Sequence, residues 1–397
     1  MLGYRKHSFA QAHLLLSRLR DNLEDLEALR ELQELLLREV VRTEKKIRQH
    51  KSEIRAIAEP NLASSAKRLR YLNRRIEGYR QCAYVWRSFG DAIAFIYVDR
   101  FSLKQCFYST ETINPKQDAG FILGKEGLAN ELAILNAALE RDIPAILVDL
   151  TNTIRHGDVC LLGASDPFLI EAKVGKNLNS RGKKQKRNLE KLHDFYETDK
   201  SLGLRGIPVL QRRANKQPEQ TYVDLLNECI VEAVDKGQAF RQPEDGLHYV
   251  VLTDKAPDIK VVLEAVGLKD AVWPFFLNEH KAQRTWAPYV PFLLSIIDPD
   301  HLWEFIRGSL FIFVFVELDA ICKIARDCGH KANFDIDNEH FPLGIETSAG
   351  GTIRVSTHML TRIGLEFLSP RWIVSSSLER SSDPAHGESQ GSTNQRA

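Results

Sequence analysis

No Cys-x-x-Cys pair occurs among the six cysteines, Cys82, Cys106, Cys160, Cys229, Cys322 and Cys328. Their scatter argues against a disulfide framework or a zinc knuckle and suits a reducing compartment, so a cytoplasmic location is expected. Long apolar runs are missing as well. Only leucines 14–16 precede the return of charge near the N-terminus, too short a stretch for a signal-peptide core. Residues 310–316, the most apolar segment, fall far below the ~20 needed to cross a bilayer, so no membrane partner is expected. The zinc-peptidase H-E-x-x-H and hydrolase G-x-S-x-G patterns are absent, and Gly124-Lys125-Glu126-Gly127 does not complete a P-loop. Internal repeats are absent too. Charge of one sign is not in excess: 54 Lys and Arg stand against 53 Asp and Glu. Such a balance leaves the choice of partner to local clusters.

At 397 residues, with 43% hydrophobic and 27% charged side chains, the chain has the make-up of a globular protein of two or three domains. Residues 8–58 contain no Gly or Pro, and leucines recur at intervals of three and four, which predicts one long helix. At ~1.5 Å per residue it would reach roughly 75 Å. Pro60 and Asn61 end it, and a second stripe runs from Leu62 to Ala83 through Leu69, Leu72 and Ile76. Residues 1–88 therefore read as an antiparallel helical hairpin, or as a coiled coil that pairs subunits in a homodimer or recruits a partner protein.

Residues 89–240 change in texture. The run AIAFIYV at 92–98 reads as a buried strand, 124–141 as a helix, and AILVDL at 145–150 as a strand. DVCLLG and FLIEAK follow as two further strands, and 184–196 as a helix. Alternating strands and helices predict an α/β domain with a mixed sheet flanked by helices. A mixed α/β domain rich in aromatics is expected over 241–375. Residues 376–397, composed of Ser, Gly, Asn, Gln and charges, form a tail too polar to order itself. Asp335, Asp337, Glu339 and His340 read as a polar surface loop.

The chemistry concentrates in the hairpin from Asp158 to Lys173. A turn centred between Ala164 and Ser165 sets Asp158 opposite Glu171, with Cβ atoms about 4.5–5.5 Å apart. At ~5 Å and an effective dielectric of ~20, two carboxylates repel by roughly 3 kcal/mol. A hard, oxygen-liganded cation between them, Mg²⁺ or Mn²⁺, removes that penalty. Lys173, two residues beyond Glu171, points to the same face and is suited to orient an attacking water, while Ile170 and Ala172 face the core. Around it, Lys176, Arg181, Lys183, Lys184, Lys186, Arg187 and Lys191 form a basic run fit for a polyanionic backbone. In the turn before Asp158, Thr151, Asn152 and Arg155 could contact a phosphate or brace the acids, or simply hydrogen-bond within the loop. His156 reads as a loop histidine.

The runs G-D-V-C-L-L-G and I-E-A-K resemble the PD-(D/E)XK, or restriction-endonuclease-like, nucleases. Over residues 118–197 the resemblance implies that Asp158, Glu171 and Lys173 take the motif positions. Glu131, or alternatively Glu126, takes the acidic position of the preceding helix, and Gln185 touches substrate from the following one. Gly157 stands where the family often has proline. The expected activity is Mg²⁺-dependent hydrolysis of nucleic acid, DNA in preference to RNA. Asp158 and Glu171 are the expected metal ligands, and Asn152, Arg155, Lys176, Lys184 and Gln185 the expected substrate contacts. The alternative is an inactive nuclease fold that binds nucleic acid or acts in assembly through its coiled coil.

Overall fold

The computed structural model describes residues 5–57, 63–118, 120–172, 180–256, 264, 266–268, 271–347 and 350–381. The chain forms two compact units, residues 1–213 with 280–303, and residues 214–279 with 304–397.

The first unit opens with three helices, α1 (Lys6–Asp21), α2 (Leu26–Arg55) and α3 (Ala63–Tyr97). The single long helix expected over 8–58 is thus broken in two. Asp25 makes the break: its carboxylate accepts the Ala28 amide at 3.0 Å as an N-cap and receives Arg18 Nε at 3.0 Å. Pro60 and Asn61 lie outside the described residues. α2 and α3 run antiparallel, since Glu53 meets Arg68 near one end and Glu44 meets Arg87 further along. The pair is not a free arm. Leu29, Leu32, Leu36 and Val40 are fully buried, and Gln33 bonds both the Ala145 carbonyl and the Leu147 amide. The leucine stripe that suggests a coiled coil is covered by this unit's own α3 and sheet.

The expected strand AIAFIYV is instead the end of α3. Ala92, Ile93 and Ala94 are wholly buried. A helix enclosed on all sides loses its polar face, and its sequence then looks like a strand. Gly90 lets α3 approach the following segment, because a Cβ there would run into the Leu150 carbonyl oxygen. Gly90→Ala is expected to lower the unfolding free energy by about 2–3 kcal/mol, read from the urea midpoint. An unchanged midpoint would contradict this close approach.

A short helix α4 (Arg100–Gln105) leads to α5 (Leu128–Leu139) and to strands β1 (Ala145–Leu147), β2 (Val159–Leu161) and β3 (Phe168–Ile170). A 3-10 turn, Val148–Leu150, follows β1, so AILVDL is only half strand. The three strands form an antiparallel meander. Helix α6 (Ser180–Thr198) covers it, with the His193 ring stacked on Phe168 at 4.7 Å between centroids. Strands β4 (Lys200–Leu202) and β5 (Val209–Gln211) pair only with each other. The expected mixed sheet is therefore corrected. Among the described residues every strand pairing is antiparallel, and in the β2-β3 and β6-β7 pairs the short connections allow no other sense.

In the second unit α7 (Val223–Lys236) packs on β6 (Gln238–Glu244) and β7 (Leu247–Thr253). With β8 (Val272–Phe276) and β9 (Leu310–Glu317) these strands make an antiparallel sheet in the order β6-β7-β9-β8. A second antiparallel sheet holds Ala332–Phe334, Leu343–Glu346 and Thr352–Val355. Buried Arg362 binds Glu219 and Glu366, each at 2.5 Å. Asp335, Asp337, Glu339 and His340 lie exposed on a loop. Residues 376–381, expected in the tail, belong to the helix Pro370–Ser381, and 382–397 lie outside the described residues.

Candidate active site

The register of β2 and β3 pairs Val159 with Ile170, Cys160 with Leu169 and Leu161 with Phe168. The ladder ends at Val159 and Ile170, one residue short of Asp158 and Glu171. The Asp158 amide donates to the Ile170 carbonyl at 2.7 Å, and the Asp158 carbonyl accepts from Val148 N at 2.9 Å. Gly157 makes this entry feasible. Its φ of 77° belongs to the left-handed region, and a Cβ there would stand 2.9 Å from the Ile170 carbonyl oxygen. The Asp158 side chain is held at both oxygens: Oδ2 accepts the Ala172 amide at 2.9 Å, and Oδ1 accepts Lys125 Nζ at 3.1 Å.

Lys125 is the centre of the site. Its ammonium also donates to Asp149 Oδ2 at 2.8 Å and to Glu131 Oε1 at 2.9 Å. Each partner comes from a different segment: Glu131 from the first turn of α5, Asp149 from the 3-10 turn after β1, and Asp158 from the residue just before β2. Burial would lower the Lys125 pKa, but the hydrogen bonds to Asp149 and Glu131 and the neighbouring negative charges outweigh it and raise it. The group therefore stays an ammonium through the physiological range. Glu131 is almost fully buried. Its burial raises its carboxyl pKa, the Lys125 ammonium pulls it down, and the charges of Asp158 and Asp149 push it up, leaving it above the ordinary value.

Glu126 lies exposed in the loop before α5 while Glu131 enters the cluster, and this separates the two candidates geometrically. Glu171 has partners of its own, and Lys173 and Lys176 lie outside the described residues. Gln185 is half-buried on α6, next to exposed Lys183, Lys184, Lys186, Arg187 and Lys191. Lys184 reaches Glu111 at 3.0 Å.

Asn152 and Arg155 tie the loop to α3 and to neighbouring segments. The Asn152 side chain donates to Asp91 Oδ2 at 2.8 Å, and the amides of Asn152 and Thr153 donate to Asp91 Oδ1 at 2.8 Å. Burial pushes the Asp91 carboxyl up to about 6, against the pull of these hydrogen bonds. Arg155 Nε donates to the Asn152 carbonyl at 3.0 Å, and its guanidinium lies over the Phe107 ring at 4.0 Å. His156 is buried, with Nε2 at 2.9 Å from the Tyr108 carbonyl oxygen and Nδ1 at 3.4 Å from Lys116 Nζ. Burial first, and Lys116 second, depress its pKa to about 4.

That depression has a measurable consequence. A histidine held neutral in the fold but titrating near 6.5 when unfolded stabilises the protein fully above 6.5 and loses that contribution as pH falls towards 4. Relative to His156→Gln, the wild type is expected to lose up to about 3 kcal/mol between these limits, since one pKa unit is worth about 1.4 kcal/mol. Asp91 is common to both proteins and cancels. Parallel pH profiles of the two unfolding free energies would rule out the neutral, buried ring.

The sequence reading missed Lys125 and Asp149. Lys125 was met only in a segment that does not complete a P-loop, and Asp149 looks like the polar end of an apolar run. The signal for Asp149 was its position, one acid at the end of a strand beside the Asp158 strand.

By type, the carboxylates are hard oxygen donors that suit Mg²⁺ or Mn²⁺. Among the described residues, no three His, Cys, Asp or Glu side chains stand at a spacing that would hold a metal ion. The converging oxygens are spaced around the lysine instead. They suit a divalent ion in kind but do not stand at its spacing. No helix among the described residues is long and apolar enough to cross a membrane. Compared with known proteins, the chain matches no family model, no curated protein and no solved structure.

Proposed function

We propose that the chain is a nuclease of the PD-(D/E)XK type, an endonuclease that hydrolyses phosphodiester bonds of nucleic acid with Mg²⁺ or Mn²⁺, DNA in preference to RNA. One observation carries the reading. Asp158, just before β2, accepts the Ala172 amide and the Lys125 ammonium, and the same ammonium gathers buried Glu131 from the first turn of α5 and Asp149 from the turn after β1. The succession α5-β1-β2-β3-α6 and the basic exposed face of α6 support it.

In this reading Asp158 and Glu171 hold the cation, and Asp149 and Glu131 complete its surroundings. When bound, the cation supplies Lewis acidity that neutralises charge on the phosphoryl group. Lys173 is assigned to orienting the attacking water. Lys125 keeps the acids converged, and its ammonium lowers their mutual repulsion. Gln185 and Lys184, with Lys176, are assigned to the phosphate backbone.

The test is incubation of the purified chain with plasmid DNA, and with an RNA of similar length, in Mn²⁺ or in chelator. Cleavage with the ion that stops in chelator supports the reading, and the two polymers rank the substrates. Binding without cutting at any ion concentration would favour a second reading, an inactive nucleic-acid-binding protein. The ammonium already seated among the three carboxylates is the observation on that side.

A further inference from the structure

We propose that the cavity between α2, α3 and the loop before Asp158 is a phosphate-binding site, which takes a phosphate of a nucleotide unit alongside the carboxylate cluster. The inference rests on the nuclease reading for its substrate class, but its test does not need cleavage.

The cavity encloses about 260 Å³ and lies wholly within the first unit. Four arginines line it: Arg80 and Arg87 from α3, Arg155 from the loop, and Arg284. Only two acids, Glu44 and Asp118, line it with them, so the wall carries a net positive charge. Small-molecule pockets usually run from about 300 to 1,000 Å³, so this smaller, partly open space suits a phosphate with part of its nucleotide unit.

Two of the arginines are held in place. Arg87 donates from Nε to the Asp149 carbonyl at 2.9 Å and from Nη2 to buried Glu44 at 3.0 Å. Arg155 is fixed by the Asn152 carbonyl and by the Phe107 ring. Guanidinium groups positioned before the ligand arrives lose little freedom on binding it.

The other contacts are cheap to exchange. Arg80 and Arg284 share the half-exposed carboxylate of Glu77, and the Arg284 contact is 3.2 Å. Arg155 Nη2 meets Asp118 at 2.6 Å, where the Asp118 side chain is 83% exposed. Exposed pairs of this kind contribute little to stability. The Asp118 carboxylate already occupies, as an anion on Arg155, the kind of place a phosphate oxygen would take. Phe121 adds an apolar wall on which a base or sugar can rest.

The cavity also adjoins the candidate active site through two bonds. Arg87 binds the backbone of Asp149, and Glu44 Oε2 accepts the amide of Leu123, two residues before Lys125. A phosphate seated here would bring the next unit of a strand towards the carboxylates.

The test measures binding of the full chain in chelator, where cutting cannot occur, to three probes: inorganic phosphate, a nucleoside 5′-monophosphate and a labelled 5′-phosphorylated single-stranded oligonucleotide. Arg80→Gln/Arg284→Gln touches only side chains paired with Glu77 and spares the buried arginines. It is expected to weaken binding about tenfold and to flatten the salt dependence of oligonucleotide binding by about one unit of slope. Asp118→Asn, which frees Arg155, is expected to tighten binding roughly threefold. Opposite shifts in the two variants support the site. Tighter binding of the oligonucleotide than of the monophosphate identifies a strand as the source, and equal binding identifies a free nucleotide. Unchanged affinities in both variants, or no binding of any probe, would overturn the proposal. A protein that binds in this way yet never cuts DNA would overturn the nuclease reading alone.

Discussion

Lys125→Met is expected to lower the unfolding free energy by about 3–5 kcal/mol at pH 7, the range found when one partner of a buried ion pair is removed. The figure for a buried group applies because the side chains of Glu131, Asp149 and Asp158 are only 3%, 15% and 16% exposed. Their negative charges would then face each other without a cation, and Glu131 is already above its ordinary pKa with the ammonium present. The sign with pH follows. A raised carboxyl pKa destabilises the fold above the unfolded value, so the deficit of the variant should shrink as pH falls towards about 4–5 and the acids protonate. Divalent cation gives a second handle. If Mg²⁺ or Mn²⁺ can take the place of the ammonium, adding it should raise the melting temperature of Lys125→Met more than that of the wild type. Equal melting temperatures for variant and wild type, with and without the ion, would show that the carboxylates do not depend on a cation at all.

Asp158→Asn and Glu171→Gln should each reduce Mn²⁺-dependent cleavage by at least about 10²-fold, the loss typical when a group that stabilises transition-state charge is removed. The two variants differ in their structural consequences, which makes the pair informative. Asp158 accepts both the Ala172 amide and the Lys125 ammonium. Asparagine can still accept one of these bonds but gives up the charge, so Asp158→Asn should also cost some stability. Glu171 lies one residue past the end of β3 and is only half-buried, so Glu171→Gln should cost less stability than Asp158→Asn. Cleavage rates read beside urea midpoints separate chemistry from folding. Full activity in both variants would remove Asp158 and Glu171 from the site.

The hairpin was legible because strand register follows from simple rules. A six-residue connection and a two-residue side-chain period fix the register that pairs Val159 with Ile170 before any coordinate is known. Glu131 came only from the family resemblance, which left Glu126 beside it, and only the fold shows that Glu131 is the one that reaches Lys125. Lys125 was not legible. Nothing local distinguishes a loop lysine on the surface from one that binds three acids drawn from residues 131, 149 and 158. The difference is made by contacts distant in sequence. The helical hairpin shows the same limit in reverse. Its leucine stripe states that a face must be buried, and is silent on whether a second chain or the chain's own sheet buries it.

By itself the sequence determined the helices with a regular apolar stripe, the β2-β3 turn and the register of its two strands, because these depend on neighbours a few residues apart. Only the tertiary structure decided that residues 92–97 are helical, that α2 lies on β1 through Gln33, and that an ammonium sits among the carboxylates. Burial on all sides erases the periodicity from which a helix is read, and a charge finds its partners across the fold.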